Sequence, residues 1–254
     1  MTDREILRHI DEGANFYVSL FGDAAHMEKV HKEFYSYVKP SAGEQGVSFL
    51  YDVRIENLPV EQRKTVIEEM KAMHMPIWLN LCSSDETFFL FSGAKRAHGQ
   101  TEIQDNEEVY MAILPEEKRG CPENAHGIIR VRSAEEFAQW AGVANDILAG
   151  GRPDMHPVNH FALCEKGLMK CYILYHDGIP VSVAAIVDNK GVASLEFVAT
   201  IPEMRRKGFA RAVCERAVGD AFSDGASIIT VRAVDAAVAK VYQSIGFRAY
   251  NAAI

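Results

Sequence analysis

The run Arg205-Arg206-Lys207-Gly208-Phe209-Ala210 joins a strand-like stretch to a helix-like one, and it sets three cations and a glycine where the helix begins. The first turn of a helix has unpaired backbone N–H groups and a partial positive charge, so an anion sits there favourably. Glycine at 208 leaves room for close approach, and Arg205, Arg206, Lys207 and Arg211 add a local positive field. Together they suit a diphosphate. Downstream, Tyr242-Gln243-Ser244-Ile245-Gly246-Phe247 carries a phenol on a second helix-like run. Upstream, Glu196 is a charge amid Leu195, Phe197 and Val198, and period-two alternation sets Ser194, Glu196 and Val198 on one strand face.

Other polar residues suggest less. His156 and His160 stand four apart, but Pro157 intervenes and no third ligand is visible, so no metal site is expected. His26 and His31 are five apart, poorly aligned on a helix, and read as surface residues. No Ser-His-Asp arrangement or nucleotide P-loop is evident. Cys82, Cys121, Cys164, Cys171 and Cys214 are odd in number and lack CxxC spacing, which fits reduced thiols in a reducing compartment.

The 254 residues are 48% hydrophobic and 24% charged, enough for a sizeable core in one large or two ordinary domains. The net charge of −8 arises within residues 1–120, while residues 121–254 balance, an asymmetry that argues against a nucleic-acid partner. No apolar run approaches about 18 residues, and the start Met-Thr-Asp-Arg-Glu lacks a leader's apolar region. A cytoplasmic protein without membrane association is expected.

The elements that must position these residues follow from periodicity and turn chemistry. In the first half, helices are expected at Asp3 to about Leu20, His26–Phe34, Pro59 to about Met73 and Asp85–Ser92. Strands are expected there at Tyr35–Val38, Val47–Ile55, Ile77–Cys82 and Val109–Leu114. The charged, Gly- and Pro-bearing residues 116–127 read as a linker between domains 1–115 and 128–254. Beyond it come a strand (Ile128–Arg132), a helix capped by Ser133 with Glu136, and strands at Lys170–His176, Pro180–Val187 and Val192–Thr200 joined by hairpin turn signals. The last of these enters the Arg205 turn, a helix to about Phe222, a parallel strand (Ser227–Ala233), a helix (Asp235–Ile245) and a strand from Phe247. The order is mixed α/β.

With that context, Arg205-x-x-Gly208-x-Ala210 and the following Tyr242…Gly246-Phe247 resemble the GNAT superfamily of acyl-CoA-dependent N-acyltransferases over roughly Ile128–Ile254. The resemblance implies the GNAT α/β (α+β mixed-sheet) fold. It implies that backbone N–H groups of Arg206, Lys207, Gly208, Phe209, Ala210 and Arg211 hold the pyrophosphate of acetyl-CoA, aided by the Arg205 side chain. Val198, Ala199 and Thr200 take the place of the splayed strand that pairs with pantetheine, and the Val198 N–H takes that of a donor to the thioester carbonyl. Tyr242 matches the family's proton donor to the departing thiolate, and Glu196 is the candidate base, although relatives differ in where the base sits. Asp235 stands where many relatives have Asn at a pantetheine contact, and it can cap its helix. Asp154, His156 and Asn159 fall in the region bordering the acceptor pocket.

A fainter parallel runs through the first half. Leu58–Ile67 aligns with Ile201–Ala210, keeping the proline and the Arg-Lys pair but placing Thr65 at the glycine and Ile67 at the small residue, and Phe89 falls opposite Tyr242. Residues 1–115 are accordingly expected to be a degenerate GNAT-like half, structural rather than catalytic. The sequence ends about eight residues after Gly246, too soon for the family's two usual terminal strands, so Val109–Leu114 or another first-half segment is expected to complete the sheet. The activity implied is transfer of an acetyl group to a primary amine of a small molecule or peptide by direct attack in a ternary complex. The alternatives are a longer acyl donor, as in glycine N-acyltransferase-like proteins, and a noncatalytic acyl-CoA sensor. The oligomeric state, monomer or homodimer, is left open.

Overall fold

The computed structural model describes residues 1–92, 108–118, 127–151 and 160–250. Contacts divide the chain into two units, Met1–Ile103 and Gln104–Tyr250.

In the first unit, Thr2 and Glu5 cap each other's backbone and start α1 (Asp3–Phe21), which buries Ile6, Leu7, Ile10, Ala14 and Val18 at helical spacing. Strands β1 (Met27–His31), β2 (Ser36–Pro40) and β3 (Phe49–Tyr51) form an antiparallel sheet in that order. Helices α2 (Val60–Ala72) and α3 (Asp85–Ser92) follow. The segment His26–Phe34, expected as a helix, contains β1. Met27 and Val30, three apart, suit a helical repeat, but pairing with β2 makes the segment a strand and sets Glu28 opposite Lys39 in a 3.1 Å ion pair. Of the expected strand Ile77–Cys82, a single bridge forms, Ile77 to Leu50. The Asp11 carboxylate on α1 then accepts from the Trp78 indole and the Leu81 and Cys82 N–H groups, replacing a ladder.

The second unit is built on seven strands: β4 (Val109–Ile113), β5 (Ile128–Arg130), β6 (Met169–His176), β7 (Ile179–Asn189), β8 (Val192–Thr200), β9 (Ile228–Ala233) and β10 (Arg248–Tyr250). Their order is β10-β4-β9-β8-β7-β6-β5, antiparallel except for β8 beside β9. The helices are α4 (Ala134–Leu148), α5 (Phe161–Glu165), α6 (Phe209–Ser223) and α7 (Ala236–Ile245). The meander β6-β7-β8 turns at Asp177-Gly178 and Lys190-Gly191, all four residues with positive φ as two-residue hairpins need. Ser133 and Glu136 form the expected reciprocal cap of α4. The crossover β8-α6-β9 is parallel, also as expected.

Val109–Ile113 joins this sheet as expected of Val109–Leu114, though as an interior strand: β4 lies between β9 and β10, antiparallel to both. Contacts group it with the second unit, whereas the sequence reading ended the first domain after it. Residues 119–126 of the expected linker lie outside the described residues. One sheet face carries Leu195, Ile229, Val231, Met111 and Ile113 into a core with Val213, Ala217 and Val218 of α6 and Ala239 and Ile245 of α7. The other face takes α4, whose buried Trp140 donates from Nε1 to the Ala184 carbonyl at 3.0 Å. Among the described residues no helix is long and apolar enough to cross a membrane.

Candidate active site

Strand β8 supplies the first wall of the site, and its geometry changes midway. Ladder pairing with β9 runs from Val192–Ile228 to Ser194–Thr230 and stops. On the β7 side the register slips: Ala185 pairs with Glu196 and Val183 with Ala199, so between them one residue of β7, Ala184, opposes two of β8, Phe197 and Val198. Phe197 absorbs the extra residue with φ +54°, a left-handed conformation that costs a non-glycine residue free energy. The strand is thus both bulged and parted from its parallel neighbour.

The bulge alters which side chains share a face. Leu195 and Val198 both pack into the α6–α7 core, while Phe197 turns to the other face, its ring 5.2 Å from that of Trp140. Glu196 lies on the α4 side with Ser194, as alternation requires. Val198 does not, because the extra residue at Phe197 shifts the parity, and this corrects the expectation that all three align. Arg232, which alternates with the core residues Val231 and Ala233 on β9, meets Glu196 through Nη2–Oε2 at 3.3 Å. Burial raises the Glu196 carboxyl above its ordinary value, and the Arg232 charge pulls it back down in part.

Beyond Thr200, a 3₁₀ turn at Pro202–Met204 leads to Arg205, whose Nε donates to the Thr200 carbonyl at 3.2 Å and ties the turn to the strand. Arg206 and Gly208 then take φ of +65° and +86°, and α6 starts with no side-chain cap. Its first intrahelical bond runs from the Ala212 N–H to the Gly208 carbonyl, so the preceding first-turn N–H groups point outward. A Cβ added to Gly208 would meet no atom within 4 Å, so the space above the turn is open and the positive φ is what calls for glycine.

The opposite wall is α7. Asp235 caps it, accepting from the Val238 N–H at 2.7 Å, which commits that carboxylate to its own helix. Tyr242, 4% exposed, stands two turns on, its ring 5.8 Å from Phe247. Burial, with Cys214 and Glu196 nearby, pushes the Tyr242 phenol well above the ordinary tyrosine value, so it keeps its proton at neutral pH. Gly246 ends the helix at φ +126° with the Glu117 carbonyl where a Cβ would be, so no larger residue fits there.

Between these walls lies a cavity of about 430 Å³. Val198, Thr200, Arg205, Arg206, Gly208, Phe209, Ala210, Arg211 and Tyr242, all singled out from sequence, line it. Ala199, Lys207, Asp235 and Glu196 do not. Ala199 turns its carbonyl to the Ser182 hydroxyl, and Glu196 stands across the sheet. Asp154, His156 and Asn159 lie outside the described residues. Four lining residues went unmarked, Met204, Ala237, Val238 and Val241. The signal was present for one, since Val238 lies a helical turn before Tyr242 and so shares its face. Among the described residues, no cluster of three or more His, Cys, Asp or Glu side chains is placed to hold a metal ion.

Residues 136–247 match the family model described as "Acetyltransferase (GNAT) family". The second unit contains a GNAT acetyltransferase domain. The whole chain is similar in fold to a GCN5-related N-acetyltransferase from Kribbella flavida, at 17% identity and a TM-score of 0.65 over 95% of this chain and 91% of that one. A GCN5-related N-acetyltransferase from Sphaerobacter thermophilus is similar at 13% identity and a TM-score of 0.56, over 85% of this chain and 78% of that one. No curated protein matches in sequence. The mixed sheet of the GNAT domain, read from its hairpins and crossover, is therefore the shared fold, with β8 and α6 at its centre.

Proposed function

We propose that the GNAT domain transfers an acetyl group from acetyl-CoA to a primary amine by direct attack in a ternary complex. The observation that carries this reading is a single cavity that runs from the uncapped start of α6 to Tyr242 along a strand that has lost its neighbour. The residues present fit acetyl-CoA: outward N–H groups and Arg205, Arg206 and Arg211 at one end suit a diphosphate, and Val198, Val238 and Val241 suit an alkyl arm. Backbone of Val198 and Thr200 pairs with the arm's amides, and the Val198 N–H faces the thioester carbonyl, while Ala199 between them keeps its carbonyl on Ser182 of β7. Lys207 adds charge at the mouth without lining it.

Tyr242, buried and protonated, donates to the sulfur as the thioester C–S bond breaks. Glu196, on the other face of β8, accepts the proton that the attacking amine must lose. The acceptor is a small-molecule or peptide amine entering from that face, with Asp154, His156 and Asn159 contributing to its recognition. The first unit is a structural half.

Calorimetry with acetyl-CoA, followed by coenzyme A release across a panel of primary amines, tests the reading. Binding and turnover are expected in the full chain, with turnover nearly lost in Tyr242→Phe. No heat with any acyl-CoA sinks it; heat without turnover on any amine turns it into an acyl-CoA sensor.

A further inference from the structure

The last backbone rung between β8 and β9 is Ser194–Thr230, and two residues further along each strand stand Glu196 and Arg232. Their 3.3 Å ion pair therefore occupies the next rung on the same face, a side-chain bridge where the ladder has opened. Both side chains are largely shielded, 11% exposed for Glu196 and 18% for Arg232. In the antiparallel ladder on the far side of β9, Tyr110 of β4 stands opposite Arg232, flanking it on that face.

A pair in this position is poorly explained as a stability device. A shielded ion pair returns little net free energy compared with apolar residues of the same volume, and β8 and β9 have apolar neighbours on both faces to draw on. What the pair supplies is a fixed carboxylate at the gap.

We propose that Arg232 is a positioning residue that holds the Glu196 carboxylate, as the anion, at the α4-side mouth of the β8–β9 gap. The proposal rests on reading Glu196 as the base. An unanchored carboxyl in this shielded place takes up a proton and cannot accept one from an amine. Among the described residues, these charged and titratable groups face Glu196. Arg232 comes from β9, Glu108 from just before β4, and Tyr242 from α7 across the sheet. Ser194 is its neighbour on the same face of its own strand. Opposite on β7 stands Ala185, and α4 turns Trp140 toward this stretch. Of the groups named, Arg232 is the cation.

The test needs no acceptor. Full-length protein carrying carboxyl-labelled [13C]glutamate is titrated by NMR, with the Glu196 resonance identified by its loss in Glu196→Gln. Arg232→Gln is expected to raise the Glu196 midpoint by about one to three pH units, the usual effect of removing an adjacent opposite charge. Arg232→Lys, which keeps the charge, is expected to restore most of it and guards against a Gln variant that folds poorly. An unmoved midpoint in folded Arg232→Gln, or a Lys variant that titrates like Gln, overturns the proposal. The base assignment falls separately, to a Glu196→Gln chain that releases coenzyme A as fast as the parent across the amine panel.

Discussion

Two stretches of this chain begin alike and fold differently. Leu58-Pro-Val-Glu-Gln-Arg-Lys-Thr-Val-Ile67 in the first unit and Ile201-Pro-Glu-Met-Arg-Arg-Lys-Gly-Phe-Ala210 in the second both place Arg-Lys four residues after a proline. In the first, α2 starts directly after Pro59 and runs unbroken through Arg63, Lys64 and Thr65. Thr65 sits inside the helix with its hydroxyl on the Glu61 carbonyl at 3.0 Å. In the second, the helix cannot start until Phe209, because Arg206 and Gly208 turn left-handed first. One residue type decides the outcome: glycine tolerates the conformation that exposes a fresh helix start, and threonine continues the helix already begun.

The arginines take opposite fates in consequence. Arg63, 7% exposed, donates to Glu86 at 2.8 Å, to Thr87, and to the carbonyls of Glu56 and Leu58, so it serves its own unit. Arg206 lies exposed at the rim of the cavity. The aromatic counterparts diverge in the same way. Phe89 is 49% exposed on α3, while Tyr242 is buried against the cavity. Proline and basic pairs are shared, but an open helix start and a buried phenol occur together in the second unit.

The widest separation between the two regions is expected at the phenol. Tyr242→Phe should cut the rate of coenzyme A release about a hundredfold or more, the usual worth of a placed general acid, with acetyl-CoA affinity nearly unchanged. Phe89→Tyr should change neither. Equal activity of Tyr242→Phe and the parent would remove the proton-donor role. Next comes the turn. Gly208→Thr imports the residue of the first stretch and should weaken acetyl-CoA binding about a hundredfold in calorimetry, about 2.7 kcal/mol. Its cost to folding should be about 1–2 kcal/mol, that of one left-handed non-glycine residue, since the added Cβ meets nothing. A Thr variant that binds as the parent does would mean that the open helix start is not where the diphosphate sits.

Reversing the readout, Arg63→Ala should cost about 2–3 kcal/mol in denaturant unfolding, because it strands two carbonyls that now receive a charged donor. Arg206→Ala should stay within about 0.5 kcal/mol in stability, as for an exposed side chain, and should instead weaken acetyl-CoA binding. If both variants lose stability alike, the contrast between a structural and a ligand-facing arginine fails.

Much of the second unit was legible because its signals are local. Asp177-Gly178, Lys190-Gly191, the Ser133–Glu136 cap and the Gly208 turn each fix backbone within a few residues. What escaped depends on distant partners. The rung between Glu28 and Lys39 made β1 a strand where spacing alone allowed a helix. The interior place of β4 needed β9 and β10 on either side of it. The parity shift at Phe197 was hidden for another reason: a positive φ is ordinarily announced by glycine or asparagine, and phenylalanine announces nothing. For the same reason chemistry singles out Glu196, but alternation alone sets it on one face with Val198, whereas the bulge puts the two on opposite faces.

The smallest expected effect lies at the far end of the helix that starts at the cavity. Asp224 follows α6 and meets Lys170 of β6 at 3.0 Å and Arg130 of β5 at 3.6 Å. The hydrogen bond from Lys170, with the two positive charges, holds the Asp224 carboxyl below its ordinary value. A carboxyl lowered in the folded state contributes stability above its unfolded value of about 3.9 and loses that contribution as pH falls through the folded value. Asp224→Asn should therefore melt slightly below the parent at pH 7, by less than about 1 kcal/mol because the pair is half-exposed and screened, and the gap should close as the pH is taken below about 4. Acetyl-CoA affinity should be unchanged throughout, because the helix start, and not this anchored end, faces the ligand. A loss of affinity in Asp224→Asn would show that the two ends of α6 move together, and the turn at Gly208 would then owe its shape to more than its own residues.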